Sequence, residues 1–125
     1  MMAVDRSIIS VVDDDQSVRE SLPDLLREFG FAVESFASAE EFLTSGFIGK
    51  TDCLILDVTM PGISGLELQR ELQVRGHVVP IVFITAHADE SIRPLLIAQG
   101  AVDCLFKPFS ESALLDALQA ALGRA

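Results

Sequence analysis

Short apolar runs alternate five times with longer stretches of helical periodicity, and few folds accept that pattern. The runs are Ser7–Val12, Phe31–Phe36, Asp52–Asp57, Pro80–Thr85 and Val102–Phe106. Most are apolar on consecutive positions, the habit of strands buried on both faces. Phe31–Phe36 alternates instead, as a strand near a sheet edge does. The first helical stretch places Val18, Leu22, Leu25, Leu26 and Phe29 on one face and meets Gly30. Pro23 falls inside it, where it removes a hydrogen bond and bends the helix. Ser38–Glu41 and Ser64–Glu67 read as capping boxes of the second and third helices, which stop near Gly46 and Gly76. Asp89 is placed to cap the fourth, with Pro94 in or just beyond its first turn and Gly100 near its end. Ser110 opens the fifth, which aligns Leu114, Leu115, Leu118 and Leu122 and ends near Gly123.

Consecutive βα units with short connections predict a parallel sheet covered by helices on both faces. Right-handed crossovers leave few topologies, and strand order 2-1-3-4-5 suits this size. The expected fold class is therefore α/β, a (βα)5 doubly wound parallel sheet, in a single domain over residues 1–125.

Bulk properties narrow the function classes. The formal net charge is -10, which argues against nucleic acid or an anionic membrane as a direct ligand and suits a basic partner or a divalent cation. No apolar run approaches the roughly 18 residues of a membrane span. The first ten residues lack the long apolar stretch of a signal peptide, so a cytoplasmic location is expected. Cys53 and Cys104 fall in strands separated by a third, about 9–10 Å apart, which predicts two buried thiols and no disulfide.

The chemistry concentrates at strand ends. Leu54–Gly62, LILDVTMPG, is an apolar run that stops at a carboxylate and turns at Met60-Pro61-Gly62. Asp57 is thus expected at the carboxyl end of a central strand, where open α/β sheets bind ligands. Asp13 and Asp14 follow the first strand, Thr85 ends the fourth and Lys107 follows the fifth. Each has a plain reading taken alone: an Asp pair caps a helix, and a lysine before proline lies on the surface. In order 2-1-3-4-5 all of these ends converge on one shallow pocket.

Carboxylates about 4–5 Å apart repel by several kcal/mol at an effective dielectric near 20. Lys107 offsets one charge, and a hard divalent cation can offset the rest. Mg²⁺, or Mn²⁺ in its place, fits a site with few carboxylates, retained waters and a phosphoryl oxygen as a further ligand. Zinc does not fit, because no His or Cys cluster has ligand spacing. Such a pocket can stabilise a phosphoryl group in transit, with Asp57 as nucleophile and Lys107, Thr85 and backbone N–H groups on the oxygens.

The chain resembles a response-regulator receiver domain of bacterial two-component signalling. The residues that carry the likeness are VVDDD (Val11–Asp15), LILDVTMPGISG (Leu54–Gly65), FITAH (Phe83–His87) and GAVDCLFKPF (Gly100–Phe109). The wording of TAH, GAVD and KPF is closest to the FixJ-like branch. The resemblance implies a flavodoxin-like, CheY-like fold. It implies that Asp57 accepts a phosphoryl group from a phosphohistidine of a sensor histidine kinase and later loses it to water. Asp14, Asp57 and the backbone carbonyl of Thr59 would hold Mg²⁺, with Asp13 helping, partly through water. Lys107 would bridge the acceptor and the phosphoryl group, Thr85 would swing its hydroxyl onto it, and the Lys107–Pro108 bond would be cis.

The resemblance further implies output, and homodimer formation, through the face of helix four, strand five and helix five. Control of transcription would run through a DNA-binding output domain not contained in this chain, which is expected to be a stand-alone receiver or a truncated piece. One position departs from the family. Three residues before the lysine, where members carry Tyr or Phe, this chain has Cys104. That puts the paired Thr–aromatic switch in doubt and shifts the expected signalling onto Thr85, His87 and the helix-four region. His87 and Thr59 border the pocket and are expected to tune the lifetime of the phosphoryl group.

Other readings compete. A small aspartyl-phosphate phosphohydrolase needs a second acid two residues after its nucleophile, and here that residue is Thr59. A flavin-binding domain of this architecture wants a Ser/Thr/Gly-rich phosphate loop where this chain has Asp13-Asp14-Asp15. A degenerate receiver would have lost some of the site residues, and all are present.

Overall fold

The computed structural model describes residues 6–86 and 91–123. His87 and Asp89 lie outside these. The strands are β1 (Ile8–Val12), β2 (Ala32–Phe36), β3 (Cys53–Asp57), β4 (Ile81–Thr85) and β5 (Asp103–Phe106). They form one fully parallel sheet in the order β2-β1-β3-β4-β5. The helices are α1 (Gln16–Glu28), α2 (Ala39–Thr44), α3 (Gly65–Val74), α4 (Ile92–Ala98) and α5 (Glu111–Ala121). This is the expected doubly wound, flavodoxin-like fold.

Each strand ends where the sequence predicts and begins one residue later. Ser7 and Pro80 lend their carbonyls to the neighbouring strand, to Ala32 N at 3.0 Å and Leu54 N at 2.9 Å. Pro80 has no N–H to return.

Alternation along the strands divides the core. Val12, Leu54, Leu56, Phe83 and Cys104 face α2, α3 and α4, against Phe42, Leu68, Leu72 and Leu96. Ile9, Val11, Cys53, Ile55 and Ile84 face α1 and α5, against Leu22, Leu26, Leu114 and Leu118. Val18, Leu25, Phe29, Leu115 and Leu122 pack on the margin of that second layer, as their spacing predicts. Cys53 and Cys104 are free and buried on opposite faces of the sheet, which excludes a disulfide more firmly than their separation does.

Local chemistry sets the helix ends. Asp15 caps α1 by accepting from Ser17 N, and the helix runs through a buried Pro23, which leaves the Arg19 carbonyl without its usual donor. The Ser64–Glu67 box closes in both directions, at 3.1 and 3.2 Å. At Ser38 the hydroxyl accepts from Glu41 N at 3.1 Å. Pro94 lies in the first turn of α4, and Ser91 at its N-cap makes no side-chain capping bond. The 3-10 turn Ile48–Lys50, which carries no periodicity long enough to read, joins α2 to β3.

Candidate functional site

The carboxyl ends of β1, β3, β4 and β5 lie side by side, and the strand-end residues come together there. Asp13, Asp14 and Asp57 each bring a carboxylate oxygen within 4.8 Å of the others. Asp13 is 0% exposed and Asp57 7%, while Asp14 stands in solvent at the mouth. Asp13 is held from several sides. Its N–H donates to the Phe36 carbonyl at 3.1 Å, its carbonyl accepts from Arg19 Nη1 at 2.9 Å, and its Oδ1 accepts from Asp15 N at 2.9 Å. Lys107 Nζ donates to the remaining oxygen, Oδ2, at 2.9 Å.

Asp57 is less well compensated. Its Oδ1 accepts a long bond from Thr59 N, 3.4 Å. Burial, and next the negative charge of Asp13, push its carboxyl up to about 7, against the opposing pull of Lys107. A raised carboxylate beside a second acid is what an acidic pocket shows when a cation is its natural complement. The donor set is all oxygen and hard, and with both Asp13 oxygens engaged, the carboxylates of Asp14 and Asp57 are the better placed to bind a cation directly. Mg²⁺ fits these residues.

Thr85 is 1% exposed at the end of β4. Its carbonyl accepts from Lys107 N at 2.8 Å, which ties the hydroxyl-bearing strand to the lysine. The Lys107–Pro108 peptide is cis. Cys104 lies deeper, in register with Phe83, and is packed into the layer under α4. Phe106, in register with Thr85, shares that face. Thus an aromatic ring does stand beside Thr85, two residues nearer the site than Cys104. Arg93 of α4 reaches Asp103 Oδ1 through Nε at 3.0 Å and Nη2 at 2.7 Å, and the same oxygen accepts from Cys104 N at 2.7 Å.

Two contributors escaped the sequence reading. Arg19 is visible only as a polar residue on α1, because its partner is a backbone carbonyl. Gly65 reads as one member of a capping box. A side chain there would strike the Asp57 carbonyl and come within 3.1 Å of Phe83 and Val58. Gly65 N also donates to the Val58 carbonyl at 3.1 Å, so α3 begins against the backbone of the acidic strand end.

Residues 9–119 match the family described as the response regulator receiver domain. The response regulator protein TodT of Pseudomonas putida is 47% identical over 116 residues, covering 93% of this chain and 51% of its own length. Transcriptional regulatory protein FixJ of Azorhizobium caulinodans is 44% identical over 116 residues, covering 93% of this chain and 55% of its own length. Among solved structures, the response regulator StyR superposes with a TM-score of 0.87 at 47% identity, covering 95% of this chain and 60% of its own. The structure described as FixJ-N gives a TM-score of 0.84 at 34% identity, covering 98% of both chains. The chain spans about half the length of the curated relatives it matches. It belongs to the response-regulator receiver domain family, among relatives of the FixJ type.

Proposed function

We infer that the chain is the phosphoacceptor module of a two-component system, and that Asp57 takes the phosphoryl group. The observation that carries this reading is the meeting of Asp13, Asp14 and Asp57 within 4.8 Å at the strand ends that also present Thr85 and Lys107. Asp57 Oδ attacks phosphorus, the P–N bond to the kinase histidine breaks with its electron pair leaving on nitrogen, and an acyl phosphate forms. Water later attacks phosphorus, the P–O bond to Asp57 breaks, and the carboxylate returns. Mg²⁺ would be held by Asp14, Asp57 and the Thr59 carbonyl with Asp13 assisting, and would supply positive charge against the phosphoryl oxygens. Lys107 supplies a second positive charge and Thr85 a hydroxyl. Thr59, two residues after the acceptor in the sequence, and His87, two after Thr85, set how water reaches it.

The partner is a sensor histidine kinase, and the output is control of transcription by a DNA-binding domain outside this chain. Signal leaves through α4, β5 and α5, the same face through which two copies pair. With Cys104 too small to swing, Thr85 moves against α4, and Phe106 is the ring beside it. No described helix is long and apolar enough to cross a membrane, and a cytoplasmic location accords with this role. Phosphohydrolase activity on other substrates is disfavoured, because the residue two after Asp57 is Thr59, which offers no acid.

Intact mass after incubation with acetyl phosphate, with and without Mg²⁺, tests the reading on the parent and on Asp57→Asn. One phosphoryl group that requires both Mg²⁺ and Asp57 is expected. No adduct on the parent, and no stable complex with a beryllofluoride mimic, would overturn it.

A further inference from the structure

Asp13 and Asp14 leave β1 at consecutive positions, so one peptide joins two of the three acids of the site. Its carbonyl belongs to Asp13, which is 0% exposed. That carbonyl lies ahead of Asp15, the N-cap of α1, and so outside the helical ladder. A buried carbonyl in that position needs a donor from elsewhere. Arg19 Nη1 supplies it at 2.9 Å. Arg19 is itself fixed in the first turn of α1, its N–H donating to the Asp15 carbonyl at 3.2 Å. Its half-buried side chain thus folds back onto the loop that precedes its own helix. None of the ion pairs among the described residues involves it. A permanent positive charge is therefore brought to an acidic loop and bound to main chain, without occupying a carboxylate oxygen. The Asp14 carboxylate, by contrast, stands in solvent and makes no hydrogen bond to a described residue.

We propose that Arg19 is a positioning residue for the cation site, a role that rests on the phosphoacceptor reading. By holding the peptide between Asp13 and Asp14 it keeps the otherwise untethered Asp14 carboxylate within reach of Asp57. Outer groups that orient metal ligands act in this way. A purely electrostatic role has the opposite sign. Were Arg19 only a nearby positive charge, its removal would relieve repulsion and tighten Mg²⁺ binding. If it holds the peptide, its removal lets the loop sample other arrangements and weakens binding.

Mg²⁺ affinity is measured by calorimetric titration at one pH, without phosphodonor, on the parent, Arg19→Met and Arg19→Lys. Methionine keeps the apolar stem and loses both donor and charge. Lysine keeps both, and a single bond to a carbonyl does not need the guanidinium fork. Arg19→Met is expected to bind about tenfold more weakly, as when the competent arrangement falls to about a tenth of the population. Arg19→Lys should stay within about threefold of the parent. In the metal-free 15N spectrum of Arg19→Met, the Asp14 amide should shift or broaden while that of the remote Leu72 holds. Should the methionine variant fold poorly, Arg19→Gln, whose amide is too short to reach the carbonyl, takes its place. Unchanged or tighter binding in Arg19→Met, or Arg19→Lys as weak as Arg19→Met, overturns this role alone, provided that the parent binds Mg²⁺ and is phosphorylated. A parent that binds no Mg²⁺ overturns the phosphoacceptor reading together with it.

Discussion

Lys107 donates to Asp13 Oδ2 at 2.9 Å, and the carboxylate it meets is 0% exposed while the lysine keeps 18% of its surface. The cation of the site therefore rests on the most deeply buried acid, leaving Asp57 the less compensated of the pair. Removing one partner of a buried pair strands the other. Lys107→Ala is expected to cost about 3 kcal/mol in urea unfolding at neutral pH, and Lys107→Arg distinctly less. A loss under about 1 kcal/mol for the alanine variant would mean that the pair is solvated.

The state of Asp57 gives a pH dependence with a definite sign. Its carboxyl is raised in the folded chain from 3.8 to about 7. Its contribution to stability is thus fully present below pH 3.8 and is lost as pH rises through about 7. Without metal, the difference in stability between the parent and Asp57→Asn should shift in favour of the variant by about 2–4 kcal/mol between pH 4 and pH 8. Since a cation must displace that proton, Mg²⁺ affinity should fall about tenfold per pH unit below 7, read by calorimetric titration. A flat affinity between pH 6 and pH 8 would contradict this.

Gly65 leaves no room for a methyl group. Its missing Cβ would fall on the carbonyl of Asp57, a backbone atom that cannot rotate away. Gly65→Ala should lower stability by about 2–4 kcal/mol, although alanine is the better helix former. Because the displaced atom belongs to Asp57, the residue proposed as acceptor, the phosphorylation rate should fall with it. A variant as stable as the parent would show that α3 can retreat at little cost.

Arg93 and Asp103 staple α4 to β5, but the two residues are not equivalent. The pair is half-exposed, so Arg93→Ala should cost less than about 1 kcal/mol and the effect should shrink in high salt. Asp103→Ala also strips the Cys104 N–H of its acceptor, and should cost about 1 kcal/mol more in the same denaturation assay. Equal losses would show that the backbone bond adds nothing.

Much of this architecture is legible in one dimension because it follows from local rules. The ends of β1, β3 and β5 are marked by a change from apolar to charged residues, and all five ends lie where the sequence predicts. The starts are off by one, since a single backbone bond to a neighbour, through the carbonyl at Ser7 and Pro80 and the N–H at Asp52 and Val102, leaves no trace in side-chain pattern. Asp13, Asp14, Asp57, Thr85 and Lys107 could be gathered from their strand ends once the order was inferred, because a parallel sheet puts all carboxyl ends on one edge. Arg19 and Gly65 could not, because both act on main-chain atoms of distant residues.

The sequence by itself determined the alternation of elements, the strand order consistent with right-handed crossovers, and the set of chemically active side chains. Only the tertiary structure decided how those side chains are paired. That Lys107 chooses Asp13 over Asp57 depends on burial and on which oxygens the backbone already occupies. That Cys53 and Cys104 lie on opposite faces, and that Phe106 stands level with Thr85, depends on register between strands. Burial and register are sums over contacts between remote segments, and no local stretch of chain contains them.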